Sequence, residues 1–193
     1  MGSQNCKYDP IETLQKAITA GITAFQYREK GDGALTGEAK LELGKRLRDI
    51  CTDNNVLFIV NDDIELVDPL EADGIHVGQE DFSVEEIHDI FPGKIIGLSV
   101  SNANEMKQSP ISLVNYLGAG PIYNTYTKAD AKSAVGVEWI RTLRAQFPNM
   151  PIVGIGGINV ENAPDVIKSG ADGVSVISAI TKATNIKEVI ARL

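Results

Sequence analysis

Short apolar runs rich in β-forming residues alternate with stretches of helical period along almost the whole chain, and few folds accommodate that alternation. Strands joined through helices return parallel to one another, so the pattern specifies an α/β protein built on a parallel sheet. The strand candidates are Ala24–Tyr27, Leu57–Val60, Gly74–Val77, Ile95–Ser99, Leu113–Leu117, Ile152–Ile155 and Gly173–Ile177. Several are near-continuously apolar, as strands covered on both faces should be. Between them, Ile11, Leu14, Ala17 and Ile18 share one helix face, as do Leu43, Leu47 and Ile50; Val84, Ile87, Ile90 and Phe91; Ile140, Leu143 and Phe147; and Ala163, Val166 and Ile167.

The punctuation agrees with that parsing. Ser83 followed by Glu86 reads as a capping box, and Gly21 and Gly170 stand where helix ends require a left-handed residue. The tripeptide Ala-Asp-Gly occurs at Ala72-Asp73-Gly74 and again at Ala171-Asp172-Gly173, each time before a strand, as in a chain of repeated β/α units.

A (β/α)8 TIM barrel fits this order, with one stave absent: the chain begins almost directly with the helix of Ile11 and Leu14, and Met1–Cys6 is too short and polar to serve as a first strand. The last helix, carrying Val189, Ile190 and Leu193, stops abruptly, so both ends read as trimmed. An unclosed barrel leaves strand edges exposed. The rival, an open doubly wound sheet, would place a glycine-rich turn after the first strand, whereas here such turns come late. At 193 residues and 43% hydrophobic, with no linker-like stretch, a single domain over residues 1–193 is expected.

A formal charge of −8, from 26 Asp and Glu against 18 Lys and Arg, argues against nucleic acid as a partner, so any phosphate site must be a local basic cluster. Cys6 and Cys51 lack the number and spacing for a disulfide framework and read as free thiols in a reducing cytosol. With no membrane-length apolar run and no signal pattern, a cytoplasmic protein that does not engage membranes is expected. The sequence is compatible with a homo-oligomer and does not specify one.

Four constellations carry chemistry. Gly154-Ile155-Gly156-Gly157-Ile158 follows one strand and Val176-Ile177-Ser178-Ala179-Ile180 ends the next, the two late loops that commonly bind phosphate in barrels; the alternative for the glycines is a tight turn. In Gln26-Tyr27-Arg28-Glu29-Lys30, strand alternation puts Gln26, Arg28 and Lys30 on one side and Tyr27 and Glu29 on the other. An Arg fork beside a Lys suits a di- or triphosphate, although a solvated charge cluster reads equally well. Asn61-Asp62-Asp63 and Gly78-Gln79-Glu80-Asp81 end successive strands, and a carboxylate from each suits one Mg²⁺; Asp62 with Asp81 is one choice, Asp63 and Glu80 are others, and each acid could instead complement a helix dipole. Finally, Gly120-Pro121-Ile122-Tyr123-Asn124-Thr125-Tyr126-Thr127-Lys128 offers two hydroxyls and a third cation, or an ordinary polar loop.

In order along the chain, these motifs, with Ser99 of Ile96-Gly97-Leu98-Ser99, resemble the thiamine-phosphate synthase (thiamine phosphate pyrophosphorylase) family over essentially the whole length. The resemblance implies a cytoplasmic transferase joining a pyrimidine diphosphate to a thiazole phosphate with release of pyrophosphate. It implies that Gln26, Tyr27, Arg28, Glu29, Lys30, Asn61, Ser99 and Lys128 contact the pyrimidine diphosphate. Asp62 and Asp81 would hold Mg²⁺, and Thr125, Tyr126, Thr127, Gly157, Ile177 and Ser178 would contact the thiazole phosphate. In the mechanism this implies, Arg28, Lys30, Lys128 and Mg²⁺ stabilise departing pyrophosphate, a pyrimidine methyl cation is captured by the thiazole nitrogen, and Ser99 orients a substrate. His76, inside a strand, reads as a packed structural residue, and His88 faces water. Asn124 and Tyr126 depart from the family pattern. A related thiazole tautomerase and a non-catalytic phosphate-binding barrel are the alternatives; Lys30, Asn61-Asp62 and Gly78-Gln79-Glu80-Asp81 favour the synthase.

Overall fold

The computed structural model describes residues 1–125 and 132–193. Its strands are β1 (Ala24–Tyr27), β2 (Leu57–Asn61), β3 (Gly74–Val77), β4 (Ile95–Val100), β5 (Tyr116–Ala119), β6 (Ile152–Ile155) and β7 (Gly173–Ser175), forming one sheet in sequence order. The helices are α1 (Pro10–Thr19), α2 (Gly37–Asp53), α3 (Val84–Ile90), α4 (Ala103–Gln108), α5 (Glu138–Gln146), α6 (Ala163–Lys168), α7 (Ser178–Thr181) and α8 (Ile186–Ile190). Strands in sequence order with intervening helices place the chain in the TIM-barrel-like α/β class. Among the described residues no helix is long and apolar enough to cross a membrane. Cys6 and Cys51 are free, and burial pushes the Cys51 thiol up to about 12.

Contacts divide the chain into two compact units, residues 1–75 with 177–192 and residues 76–176 with residue 193. In the first, β1 and β2 run parallel, with Ala24 opposite Leu57 and Tyr27 opposite Val60. The Phe58 ring lies 5.7 Å from that of Phe25 and 6.0 Å from that of Tyr27, distances at which aromatic pairs attract. Helix α1 starts where Asp9 accepts from the amides of Ile11 (2.9 Å) and Glu12 (3.0 Å) with Pro10 in its first turn, and it buries Leu14 and Ala17. The N-terminal segment forms no strand, but Met1 makes one parallel bridge to β1, its amino group donating to Gln26 O and its carbonyl accepting from Arg28 N. Ser3–Asn5 then turns away as a short 3₁₀ helix.

In the second unit β4, β5, β6 and β7 pair parallel, with Ser99 opposite Gly118 and Gly154 opposite Val174. Fully buried Ile140 and Leu143 fix α5, and Trp139 donates Nε1–H to Val100 O at 2.9 Å. Burying each aliphatic side chain contributes about 1.5–3 kcal/mol.

The expected capping box is present at Ser83 and Glu86, and Gly21 (φ +103°) and Gly170 (φ +107°) are left-handed as their positions required. β2 and β4 each run one residue past expectation, to Asn61 and Val100, and two other strands differ by more. The expected strand Leu113–Leu117 begins three residues later, at Tyr116, because Ile111–Leu113 forms a 3₁₀ turn after Pro110. It continues through Gly118 and Ala119, small residues that carried little strand signal. The run Gly173–Ile177 stops at Ser175, since Ile177 (φ −114°, ψ −74°) caps α7.

The Ala-Asp-Gly repeat has a structural basis. Asp73 accepts from Phe58 N (2.7 Å) and from Arg48 of α2 (2.8 and 3.1 Å), while its own amide returns to Phe58 O (2.9 Å). Asp172 likewise accepts from Ile152 N (2.7 Å) and from Arg144 of α5, with its amide on Ile152 O (2.8 Å). Asn115 does the same toward Ile96, accepting from its amide and donating to its carbonyl, both at 2.8 Å. Each is a latch between the residue ahead of a strand and the beginning of the preceding strand.

Candidate active site

In the first unit the predicted residues stand at the carboxyl ends of β1 and β2. β1 ends at Tyr27, so the alternation expected over residues 26–30 does not carry through: Tyr27, Arg28 and Glu29 are buried in succession. Tyr27 turns to α2, where its hydroxyl donates to Lys40 O at 2.7 Å and its ring is 1% exposed. Glu29 is buried too, its carboxylate accepting from Ser3 N (2.8 Å), the Ser3 hydroxyl and Leu35 N (2.9 Å). Gln26 is half-buried, and Arg28 is 5% exposed.

Arg28 and Asn61 share an unusual condition. Among the described residues Arg28 Nε and Asn61 Nδ2 are buried donors without a hydrogen-bond partner, a state shared by the buried oxygens Gln4 Oε1, Ser169 Oγ and Thr181 Oγ1. A buried donor left unsatisfied costs about 1–3 kcal/mol, so an acceptor brought to Arg28 Nε or Asn61 Nδ2 would be stabilising. The register sets Tyr27 beside Val60; Arg28 directly follows β1, and Asn61 is the last residue of β2. Lys30 Nζ donates to Asp62 Oδ2 at 2.8 Å, while Asp63 pairs with Lys40. Asp62 adopts φ +62°, a left-handed conformation that costs a non-glycine residue energy and recurs at functional sites. A cleft of about 340 Å³ is lined by Lys30, Thr36, Lys40, Asp63 and Leu66 among others, and not by Arg28, Asn61 or Asp62. Ile177 and Ser178, also in this unit, form the entry to α7, with Ile177 O accepting from the amides of Ile180 and Thr181.

In the second unit Ser99 lies on β4, with its carbonyl accepting from Gln79 Nε2 and its hydroxyl bonded to His76 Nε2, both at 2.8 Å. The other imidazole nitrogen meets the Tyr116 hydroxyl at 2.9 Å. His76 is packed, as the sequence indicated, but it is also bonded to a candidate site residue, which sequence reasoning missed. Asp81 Oδ2 accepts from Gly78 N at 2.8 Å. Gly157 (φ +67°) leaves room that a Cβ would fill, 2.5 Å from Asn124 O and 2.8 Å from Tyr123 Cβ. Close packing of the segment after β5 thus explains this glycine without a ligand. Thr125 is half-buried; Tyr126, Thr127 and Lys128 lie outside the described residues.

Among the described residues no three His, Cys, Asp or Glu side chains converge into an all-protein metal cage. Mg²⁺ needs none, since it takes one or two carboxylates and completes its shell with water and phosphate oxygens. The Asp62 carboxylate accepts from Lys30 Nζ in the first unit and the Asp81 carboxylate from Gly78 N in the second.

Fold and strand-end chemistry define the class, a TIM-barrel-like α/β protein whose guanidinium, amide, hydroxyl and carboxylate groups follow the carboxyl ends of its strands. Comparison with known proteins narrows it. The family model described as thiamine monophosphate synthase matches residues 1–180. Thiamine-phosphate synthase of Oceanobacillus iheyensis is 58% identical over 193 residues, 100% of this chain and 94% of that protein. The Staphylococcus saprophyticus protein of the same name is 52% identical over 182 residues, 94% of this chain and 86% of its own. The solved structure of thiamine phosphate pyrophosphorylase from Pyrococcus furiosus superposes with a TM-score of 0.87 at 33% identity, covering 98% of this chain and 89% of that one. This chain belongs to the thiamine monophosphate synthase family, and so is a transferase.

Proposed function

We propose that this chain joins 4-amino-2-methyl-5-hydroxymethylpyrimidine diphosphate to 4-methyl-5-(2-hydroxyethyl)thiazole phosphate, giving thiamine phosphate and pyrophosphate. Beyond family membership, the observation that carries the reading is the pair of buried donors on Arg28 and Asn61, which have no partner among the described residues and which a diphosphate would satisfy. The bond between the pyrimidine methylene carbon and the diphosphate oxygen breaks with its electron pair leaving on pyrophosphate. The thiazole nitrogen then supplies the pair for the new carbon–nitrogen bond.

In this reading Arg28, Lys30 and Lys128 hold the departing charge, Gln26 and Asn61 orient the pyrimidine diphosphate, and Ser99 donates a hydrogen bond to it. Mg²⁺, taken by Asp62 and Asp81, supplies further neutralisation of pyrophosphate when bound. Thr125, Thr127, Gly157, Ile177 and Ser178 receive the thiazole phosphate. Tyr27 and Glu29, occupied by α2 and by the Ser3 and Leu35 contacts, shape the wall behind Arg28.

The test is a pyrophosphate-release assay with both substrates, each omitted in turn, with Mg²⁺ and after chelation. Release that needs both substrates and stops on chelation is expected. Turnover of the thiazole phosphate alone, or release indifferent to chelation, would overturn the proposal.

A further inference from the structure

We propose that His76 is a positioning residue that holds the Ser99 hydroxyl as a donor toward an anionic substrate group, through a relay from Tyr116 Oη–H to His76 Nδ1 and from His76 Nε2–H to Ser99 Oγ. This rests on the reading of Ser99 as a diphosphate contact. The geometry is a continuous chain of two hydrogen bonds, 2.9 Å and 2.8 Å, on an imidazole only 6% exposed.

The surrounding backbone is cut to fit it. A Cβ on Gly118, the register partner of Ser99, would lie 2.9 Å from His76 Cε1. On Gly97, the register partner of Tyr116, a Cβ would lie 2.1 Å from the phenol ring. Glycine weakens a strand interior, and two of them on paired strands make room for these two rings. The rings pack with centroids 5.4 Å apart.

A neutral imidazole has one N–H and one acceptor nitrogen, so two arrangements satisfy the chain. If His76 Nε2 accepts, the Ser99 proton points at the imidazole and the hydroxyl offers only lone pairs outward. If His76 Nε2 donates, the Ser99 proton is directed away from the ring. Phosphate oxygens only accept, so the second arrangement alone suits a diphosphate, and it requires Tyr116 to donate to Nδ1.

The chain has 2 histidines, and His88 is exposed, so imidazole ¹⁵N spectra of the full-length protein contain two readily separated rings. The Nε2–H tautomer is expected for His76, with its signals displaced by Ser99→Ala. The Nδ1–H tautomer, or signals indifferent to Ser99→Ala, overturns the relay. In steady-state kinetics, His76→Leu should lower kcat/KM for the pyrimidine diphosphate about ten- to hundredfold, the effect of one hydrogen bond to a charged group, and cost nothing more in a Ser99→Ala background. His76→Gln, which keeps an N–H, should recover part of the loss, and Tyr116→Phe tests the far end without opening a large cavity. Additive losses overturn the proposal in favour of packing alone. A Ser99→Ala variant with unchanged kcat/KM instead removes the diphosphate role of Ser99, and the substrate side of the proposal with it, while the tautomer still decides the relay.

Discussion

Arg28 is the residue on which burial and chemistry conflict most directly, because a guanidinium kept from water retains a donor that no group among the described residues accepts. Replacing it by Lys keeps the charge and loses the planar fork. Arg28→Lys should lower kcat/KM for the pyrimidine diphosphate by about ten- to hundredfold, in line with a lost charge-assisted hydrogen bond, as read in steady-state kinetics. Asp62 and Asp63 are adjacent but differently engaged, Asp62 with Lys30 in a left-handed backbone and Asp63 with Lys40. Asp62→Asn and Asp81→Asn should each raise the Mg²⁺ concentration for half-maximal activity well beyond the effect of Asp63→Asn; a metal titration of the three variants checks this, and equal shifts would mean the ligands are misassigned. The facing of residues 28–30 was not legible, because period-two alternation is a local property of a strand and β1 ends at Tyr27. The bond between His76 and Ser99 was not legible either, because it joins residues 23 apart in the chain through strand register, which no local pattern encodes.

At the level of elements, the latches explain how neighbouring strands are aligned. Asp73→Ala strands the Phe58 amide and the Arg48 guanidinium, and should lower unfolding free energy by about 2–3 kcal/mol in urea denaturation. Asp73→Asn keeps an acceptor, as Asn115 does naturally, and should cost less than half of that. Helix α4 depends on Glu105 in a pH-sensitive way. Burial alone would raise its carboxyl, but the bonds from Lys132, the Ser101 amide and Asn102 outweigh burial and hold it below the ordinary glutamate range. A carboxylate depressed in the folded state contributes fully above the ordinary range and loses that contribution as pH falls through the folded value. Glu105→Gln should therefore be destabilising at neutral pH, with the difference from the parent vanishing in acid, as followed by urea midpoints across pH. Most strands were legible from apolar runs; β5 was displaced because Leu113 and Val114 are as apolar as strand residues, whereas Gly118, which leaves room for His76, and Ala119 carry little strand propensity.

For the whole molecule, a net charge of −8 coexists with basic residues at the strand ends, so an anion bound there should register as a stability change. Inorganic pyrophosphate with Mg²⁺, at about 100 times its dissociation constant, should add about 2.7 kcal/mol and raise Tm by roughly 5–10 °C in calorimetry. Arg28→Lys should remove most of that shift. The fold class was legible because β/α alternation is repeated along the chain; what Met1 does at the edge of β1 was not, since a single backbone bridge leaves no mark on side-chain pattern. The latches carry one more implication. Asp73, Asn115 and Asp172 all sit where strands begin, while Arg28, Asn61 and Ser99 sit where strands finish. The groups that align the strands and the groups proposed to meet substrate thus stand toward opposite ends of their strands, so replacing a loop that follows a strand should leave urea stability near that of the parent while changing kinetics.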